Sequence, residues 1–528
     1  MDKTVRKRSG WLRISLSRQN EGLDRKMAYL GIDVGTGGTR ALVIDAQGNV
    51  VASASAEHQH FASPKPGWAE QDPRDWWKAC GEAVRKALHT SGMRADEIAC
   101  VGFSGQMHGA VLLDASDEVV RPALIWCDQR SEPQSVELEK LFGRDTLIRL
   151  TCNPPLTNFT LTKFLWVRQN EPKNWERVAH VMLPKDYVRF RLTGERAIDM
   201  ADASGTLLLD VANRKWSGEV LSKTGIKESV LPALFESPQV CGKVNSAGAE
   251  ATGLKVGTPV VAGAGDQAAG AVGMGIARVG AVSATIGTSG VVFASTDRPA
   301  MDPAGRLHTF CHAIPGRWHV MGVTQAAGLS LRWYRDNFGA ASPGVQKKDG
   351  RDPYDVFAEE AATAPAGSEG AFWVPYLMGE RTPHLDPNAR ASLVGLTASH
   401  TRAHVIRAIM EGVAYSLKDT FTIFEEMKIP VTSIRLGGGG ARSSLWRQIQ
   451  ADVYGREVEI VAAEEGAAYG AAILAGTGAG AWSSVEQACD AIVRVAKRIA
   501  PNQKDSLTMK QAYNRYRKIY PALREISA

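Results

Sequence analysis

The sequence predicts a two-lobed α/β protein, and three observations predict it. A unit of the form strand, glycine turn, strand occurs twice, with corresponding residues 252 positions apart. Short β-type runs such as Ala41 to Ile44 and Thr258 to Ala262 occur in the same chain as helix-period stretches such as 404–417 and 445–453. The 528 residues, 44% hydrophobic and 22% charged, are enough for two well-buried cores at about 100 to 200 residues per domain.

The chain opens on a basic extension, residues 1–27, with eight Lys and Arg against three Asp and Glu. It has neither a helical period nor an apolar core long enough for a secretory signal. It reads as a disordered tail or the product of an upstream start codon. A transit peptide would also be rich in Arg and Ser, but Asp2, Glu21 and Asp24 count against one. A chain starting at Met27 is therefore expected to melt and turn over like the full one. Loss of cooperative melting or of activity in it would make the extension part of the fold.

The first unit is Tyr29-Leu30-Gly31-Ile32-Asp33-Val34-Gly35-Thr36-Gly37-Gly38-Thr39-Arg40-Ala41-Leu42-Val43-Ile44. A dinucleotide-binding loop would need a helix after its glycines, but Ala41 to Ile44 is a β run, closed by the turn Asp45-Ala46-Gln47-Gly48-Asn49. The amides around Gly35 and Thr36 can cradle phosphate, and Asp33 at the strand end is placed to hold Mg²⁺ through water.

Further on, Thr258 to Ala262 reads as a short buried strand leading to Gly263-Ala264-Gly265-Asp266-Gln267 and a helix of small residues. The flanking glycines leave Asp266 presented, at a helix start whose amides favour an anionic ligand. An Asp at a helix start is also a common N-cap. The second unit, Val282 to Ala294, repeats the glycine turn as Gly287-Thr288-Ser289-Gly290. Two phosphate turns at matching places suggest two lobes closing on a nucleotide. A third glycine run, Gly437-Gly438-Gly439-Gly440, with Arg442 after it, joins a strand to a helix and suits a flat adenosine ring. It lacks the Gly-Lys-Ser/Thr ending of a P-loop.

Composition excludes other classes. The formal charge of +6 sits mostly in the extension, so it is no argument for nucleic acid. No stretch approaches a membrane span of roughly 18 apolar residues. The 7 cysteines are scattered without a C-x-x-C pair, which fits a reducing compartment, the cytoplasm, and argues against zinc. His308, His312 and His319 match no metal spacing and read as structural. The polar stretch 342–366 reads as a surface excursion, and the adjacent Trp76 and Trp77 as one core and one surface residue.

From residue 28 to the C-terminus, these motifs resemble the FGGY carbohydrate kinase family, most closely its xylulokinase branch. The match rests on Gly31 to Thr36, Gly265-Asp266-Gln267, Gly287 to Gly290 and Gly437 to Ser443. The resemblance implies two actin-like, ribonuclease-H-type domains with an ATP and sugar cleft between them. Residues 28–274 would bind the sugar and carry the catalytic base, and residues 275–528 would bind the nucleotide. ATP would be held by Gly35, Thr36, Gly287, Thr288, Ser289, the run 437–440 and Arg442, and Mg²⁺ by Asp33 and Asp266. Asp266 would be the base.

The acceptor would be D-xylulose or a related ketose. Gln106, Met107 and His108, in Gly105-Gln106-Met107-His108-Gly109, are assigned to it with Trp126, Asp128 and Asp266. Without the resemblance a single His would be read as structural. Gly379-Glu380-Arg381-Thr382-Pro383-His384 also matches and is read as architecture. Another ketopentose or a polyol is the near alternative. An actin-like ATPase switch is the distant one, which would need a partner-binding domain or filament surface. A homodimer is left open.

Overall fold

The structure, a computed structural model, describes residues 27–338, 351–462 and 466–527; residues 1–26, where the expectation of a disordered extension falls, lie outside it. The first lobe is built on β1 (Ala28–Val34), β2 (Gly38–Asp45), β3 (Val50–Glu57), β4 (Ile98–Gly105), β5 (Val240–Lys243), β6 (Pro259–Val261) and β7 (Ala264–Gly265). Their order is β5-β6-β4-β1-β2-β3, with β7 on the end of β4. β1 runs antiparallel to β2 and parallel to β4, so the glycines at 35–38 close a hairpin and not a crossover to a helix.

Leu30, Ile32 and Val34 of β1 are fully buried, as a central strand covered on both faces requires. At the other end of the hairpin, Asp45 Oδ1 accepts the amides of Gln47 and Asn49 at 2.9 Å, and Gly48 has φ 79°, which fixes the predicted turn. Helix α1 (Pro73–Ser91) packs across β2 and β3; Asp72 caps it by accepting from Arg74 N, and Gly92 ends it at φ 64°. Trp76 on this helix is fully buried and Trp77 only partly.

After helix α2 (Asp266–Gly273), the second lobe repeats the plan. Its strands are β8 (Ala281–Ile286), β9 (Gly290–Thr296), β10 (His308–Cys311), β11 (Trp318–Thr324), β12 (Ser433–Gly437), β13 (Val458–Val461) and β14 (Val495–Ile499), in the order β10-β11-β9-β8-β12-β13-β14. β8 is antiparallel to β9 and parallel to β12, as β1 is to β2 and β4. The 252-residue spacing of the sequence is thus a repeat of the sheet itself.

Helix α3 (Arg402–Glu426) runs through this lobe, and α4 (Ser444–Tyr454) buries Ile449 and Val453 on its inner face. The stretch 342–366 is not wholly a surface excursion. Residues 342–350 lie outside the described part, but Pro353–Ala361 is a helix whose Phe357 and Ala361 are fully buried, at the four-residue spacing of one helix face.

The chain then returns to the first lobe. Helix α5 (Gly466–Gly478) lies on β1, β4 and α2 so closely that a Cβ at Gly31 would stand 1.9 Å from the carbonyl oxygen of Ala468. Only glycines and alanines permit that approach. The lobes also share a core, in which Met107 and Phe159 of the first meet Phe310 and Val323 of the second. Among the described residues no helix is long and apolar enough to cross a membrane.

Candidate active site

The parallel strands β1, β4 and β7 end side by side, and this brings two carboxylates to one edge. Asp33 pairs with Ser104 on β4, which pairs in turn with Ala264 on β7, two residues before Asp266. Asp33 Oδ1 is buried without a hydrogen-bond partner. Burial holds the Asp33 carboxyl above its ordinary range, against the Ser104 hydroxyl and the charge of Arg40, which favour ionisation. Burial, and then the negative charge of Asp33, push Asp266 up to about 7. Asp266 is not the cap of α2: Gly265 holds that position, and Asp266 is the first helical residue. Gly265 admits no side chain, since a Cβ there would lie 2.7 Å from Met107 Cγ and 2.8 Å from Asp202 Oδ1.

The first turn is braced from several sides. The Trp126 indole donates to Thr36 Oγ1 at 3.0 Å, and Gln71 Nε2 donates to the Thr36 carbonyl at 2.8 Å. Gln106 Nε2 donates to Gln71 Oε1 at 3.0 Å and to the Gly35 carbonyl at 3.3 Å. Gln106 and Trp126, expected from the resemblance at the sugar, therefore have polar atoms engaged with the turn.

The second turn is held from below. Gly328 N donates to the Gly287 carbonyl at 2.8 Å and Leu329 N to the Thr288 carbonyl at 3.1 Å, while Gly287 and Thr288 face outwards. The run 437–440 backs directly onto this turn. Gly438, at φ 72°, would place a Cβ 2.5 Å from the Ile286 carbonyl oxygen, and Gly440 one 2.6 Å from Ile286 Cβ. Gly437 is half-buried, whereas Gly438, Gly439 and Arg442 are exposed beside the turn.

On the other flank of Asp266 lie Met107 and His108, both buried. His108 adopts φ 66°, and its Nδ1 donates to the Gly205 carbonyl at 2.9 Å. Burial, with the nearby cations Lys163 and Arg381, keeps the ring neutral by holding its pKa well below the ordinary value. The tautomer leaves Nε2 as an acceptor. Asp128 lies deeper; its carboxylate takes the Ala69 amide at 2.6 Å and pairs with Arg130 at 2.8 Å. Behind Gly265, Lys185 Nζ lies within 3.0 Å of Asp186, Asp199 and Asp202, all fully buried. These three are the one group of potential metal ligands drawn together among the described residues, and the ammonium already serves as their cation.

Two carboxylates at the ends of adjacent strands, and a glycine turn on each of two repeated sheets, find their match in one family. Residues 28–273 match the N-terminal domain of the FGGY family of carbohydrate kinases, and residues 282–479 match its C-terminal domain. The chain belongs to the FGGY carbohydrate kinases. It is 36% identical over 498 residues to the xylulose kinase of Bacillus subtilis (strain 168), covering 94% of this chain and 97% of that one. To the xylulose kinase of Escherichia coli (strain K12) it is 40% identical over 448 residues, covering 85% and 89%. The crystal structure of a xyloylose kinase from Brucella ovis superimposes with a TM-score of 0.86 at 36% identity, covering 94% of this chain and all of that one.

The fold thus brings Asp33, Asp266 and Met107, with His108 beside it, together at the ends of β1, β4 and β7, sets the second turn against the run 437–440, and holds Asp128 in an ion-paired site. Several buried polar residues near these groups carry no local signal. Gln71 precedes the cap of α1 and looks like a surface residue, yet it is buried beneath Thr36. Lys163 looks like an ordinary helical lysine. Its ammonium is buried against the carbonyls of residues 157–159, and desolvation lowers its pKa to about 7.

Proposed function

We propose that this kinase transfers the γ-phosphoryl group of ATP to the terminal hydroxyl of D-xylulose, giving D-xylulose 5-phosphate and ADP, in sugar catabolism in the cytoplasm. The observation that carries the chemistry is Asp266, half-buried beside Asp33, free of capping duty and adjacent to Met107. A carboxylate with a pKa near 7 is matched to proton acceptance at neutral pH. As the sugar oxygen bonds to phosphorus, Asp266 takes its proton, and the bond to the β–γ bridging oxygen breaks. The transition state is loose, so the remaining work is positioning and charge balance. In this reading Gly35, Thr36, Gly287, Thr288 and Ser289 hold phosphate oxygens, and 437–440 with Arg442 receive adenosine.

Mg²⁺ fits the site: the partnerless Asp33 Oδ1 and the raised Asp266 are hard oxygen donors whose mutual repulsion a cation would relieve. Asp33 and Asp266 would hold it, and it would neutralise charge on the phosphates. Residues 28–274 form the sugar lobe and 275–528 the nucleotide lobe, with α5 lent back to the first. All seven cysteines are free thiols, in keeping with a reducing compartment.

The choice of sugar rests on Met107, His108 and the xylulose kinases among the relatives. A panel of D-xylulose, D-ribulose, L-ribulose, xylitol and glycerol with labelled ATP tests it. D-xylulose is expected to give the highest kcat/KM, and a clear lead by any other acceptor would replace it.

A further inference from the structure

The loop 379–386 carries an arginine whose guanidinium has no hydrogen-bond or ion-pair partner among the described residues. It is pinned to the second lobe on both sides of Arg381. The Glu380 carboxylate accepts from Thr324 Oγ1, from Gln325 N at 3.0 Å and from Arg381 N at 2.7 Å. Thr382 exchanges bonds with Val323, N to carbonyl at 3.0 Å and Val323 N to Oγ1 at 3.1 Å, and its hydroxyl donates to the Arg306 carbonyl at 2.7 Å. Arg381 between them is half-buried, and its guanidinium makes neither a hydrogen bond nor an ion pair with any described residue. Burial without a partner pulls its pKa below the ordinary value.

The segment to which this loop is bonded at Arg306 leads into the rings around His108. Two residues beyond Arg306, His308 stands edge-on to Phe159 at 5.5 Å, and Phe159 edge-on to His108 at 5.1 Å. His108 is itself 6.0 Å from Phe310 on β10. The charge of Arg381 weakens His108, Lys163 and His308 as bases, whereas the shift of Asp266 comes from burial, Asp33 and Gln267. His108, Lys163 and His308 are thus within reach of the Arg381 charge.

We propose that Arg381 is a substrate-recognition residue delivered by the second lobe, its guanidinium donating to the oxygens at the end of the acceptor opposite the phosphorylated hydroxyl. In a ketose these are the carbonyl oxygen and the neighbouring hydroxyl, a pair that a planar fork of donors fits. The assignment rests on the sugar-kinase reading. On this assignment both lobes grip the acceptor, His108 and Asp266 from one and Arg381 from the other.

The test uses the full chain and the variants Arg381→Gln and Arg381→Lys, with D-xylulose and MgATP binding measured by calorimetry beside steady-state kinetics and thermal melting. A hydrogen bond to a charged group is worth about 1.5–3 kcal/mol, so Arg381→Gln is expected to weaken D-xylulose binding by roughly 10- to 100-fold and leave MgATP binding as in the parent. Arg381→Lys keeps the charge without the fork and should fall between the two. Sugar binding by Arg381→Gln within about twofold of the parent would overturn the assignment, as would a fall in kcat at unchanged sugar affinity, which would place the guanidinium at the phosphoryl group. If the Gln variant does not melt cooperatively, the Lys variant decides, and parent-like sugar binding in it counts against the proposal. A parent that binds no D-xylulose would instead refute the ketose reading, and the variants would then be measured on the acceptor the panel selects.

Discussion

Asp266→Asn is expected to lower kcat for sugar phosphorylation by at least about 10²-fold while changing the sugar's dissociation constant far less, since a positioned general base is worth about 10² to 10⁴ in rate. The amide is nearly isosteric and still hydrogen-bonds the acceptor hydroxyl, but it cannot take the proton. A second readout separates this from damage to the fold. Asp266 is pushed up to about 7 by burial and by Asp33, so the native site disfavours its charge. Removing that charge should leave the melting temperature at neutral pH unchanged or higher. Turnover within a few-fold of the parent would remove Asp266 from the chemistry. A large drop in melting temperature would make the loss of rate uninterpretable as proton transfer.

The elements that the sequence disclosed are those in which a local change of period carries the information. The glycine turns were legible because a β run follows Gly38 and Gly290 where a nucleotide-binding crossover would start a helix. Both hairpins came from that alternation, and the repeat of the two sheets from their spacing. Asp266 was legible because glycines on one side and small residues on the other leave it exposed to a ligand.

What stayed hidden depends on which way a residue faces after the chain has turned. Gln106 lies next to Met107, and nothing local says that its amide points back to Gly35 and Gln71 and not into the cleft. Asp128 and Arg130 are two residues apart, a spacing that only the buried geometry turns into an ion pair. Helix α5 belongs by order to the second half, and its packing on Gly31 and Gly102 depends on residues more than 360 positions away. Its run of Ala and Gly was the available signal, since such a helix has little to offer a partner except close approach. Arg381 stood inside a motif that could be read as architecture, because an unpaired cation is recognisable only once every neighbouring acid has been assigned a partner.

Asp33→Asn is expected to produce a different defect from Asp266→Asn, located in metal-dependent nucleotide binding. Asp33 lies at the end of β1 with one oxygen buried and unpartnered, and burial holds its carboxyl above the ordinary range. A charge kept at such a cost is best explained by a cation that offsets it. If Asp33 reaches Mg²⁺ through water, its replacement should weaken MgATP binding by about 10- to 100-fold, the usual effect of losing an outer-shell partner. Binding of ATP in the presence of EDTA should stay within about twofold of the parent, because the turns at 35–37 and 287–289 are untouched. Calorimetric titration of both variants with MgATP and with metal-free ATP separates the roles. The metal-linked loss should be larger for Asp33→Asn than for Asp266→Asn, and the loss of kcat at saturating MgATP should be larger for Asp266→Asn. Equal MgATP affinities for parent and Asp33→Asn would leave the buried carboxylate with the Ser104 hydroxyl and Arg40 as its whole purpose, and would move the cation site to Asp266 alone.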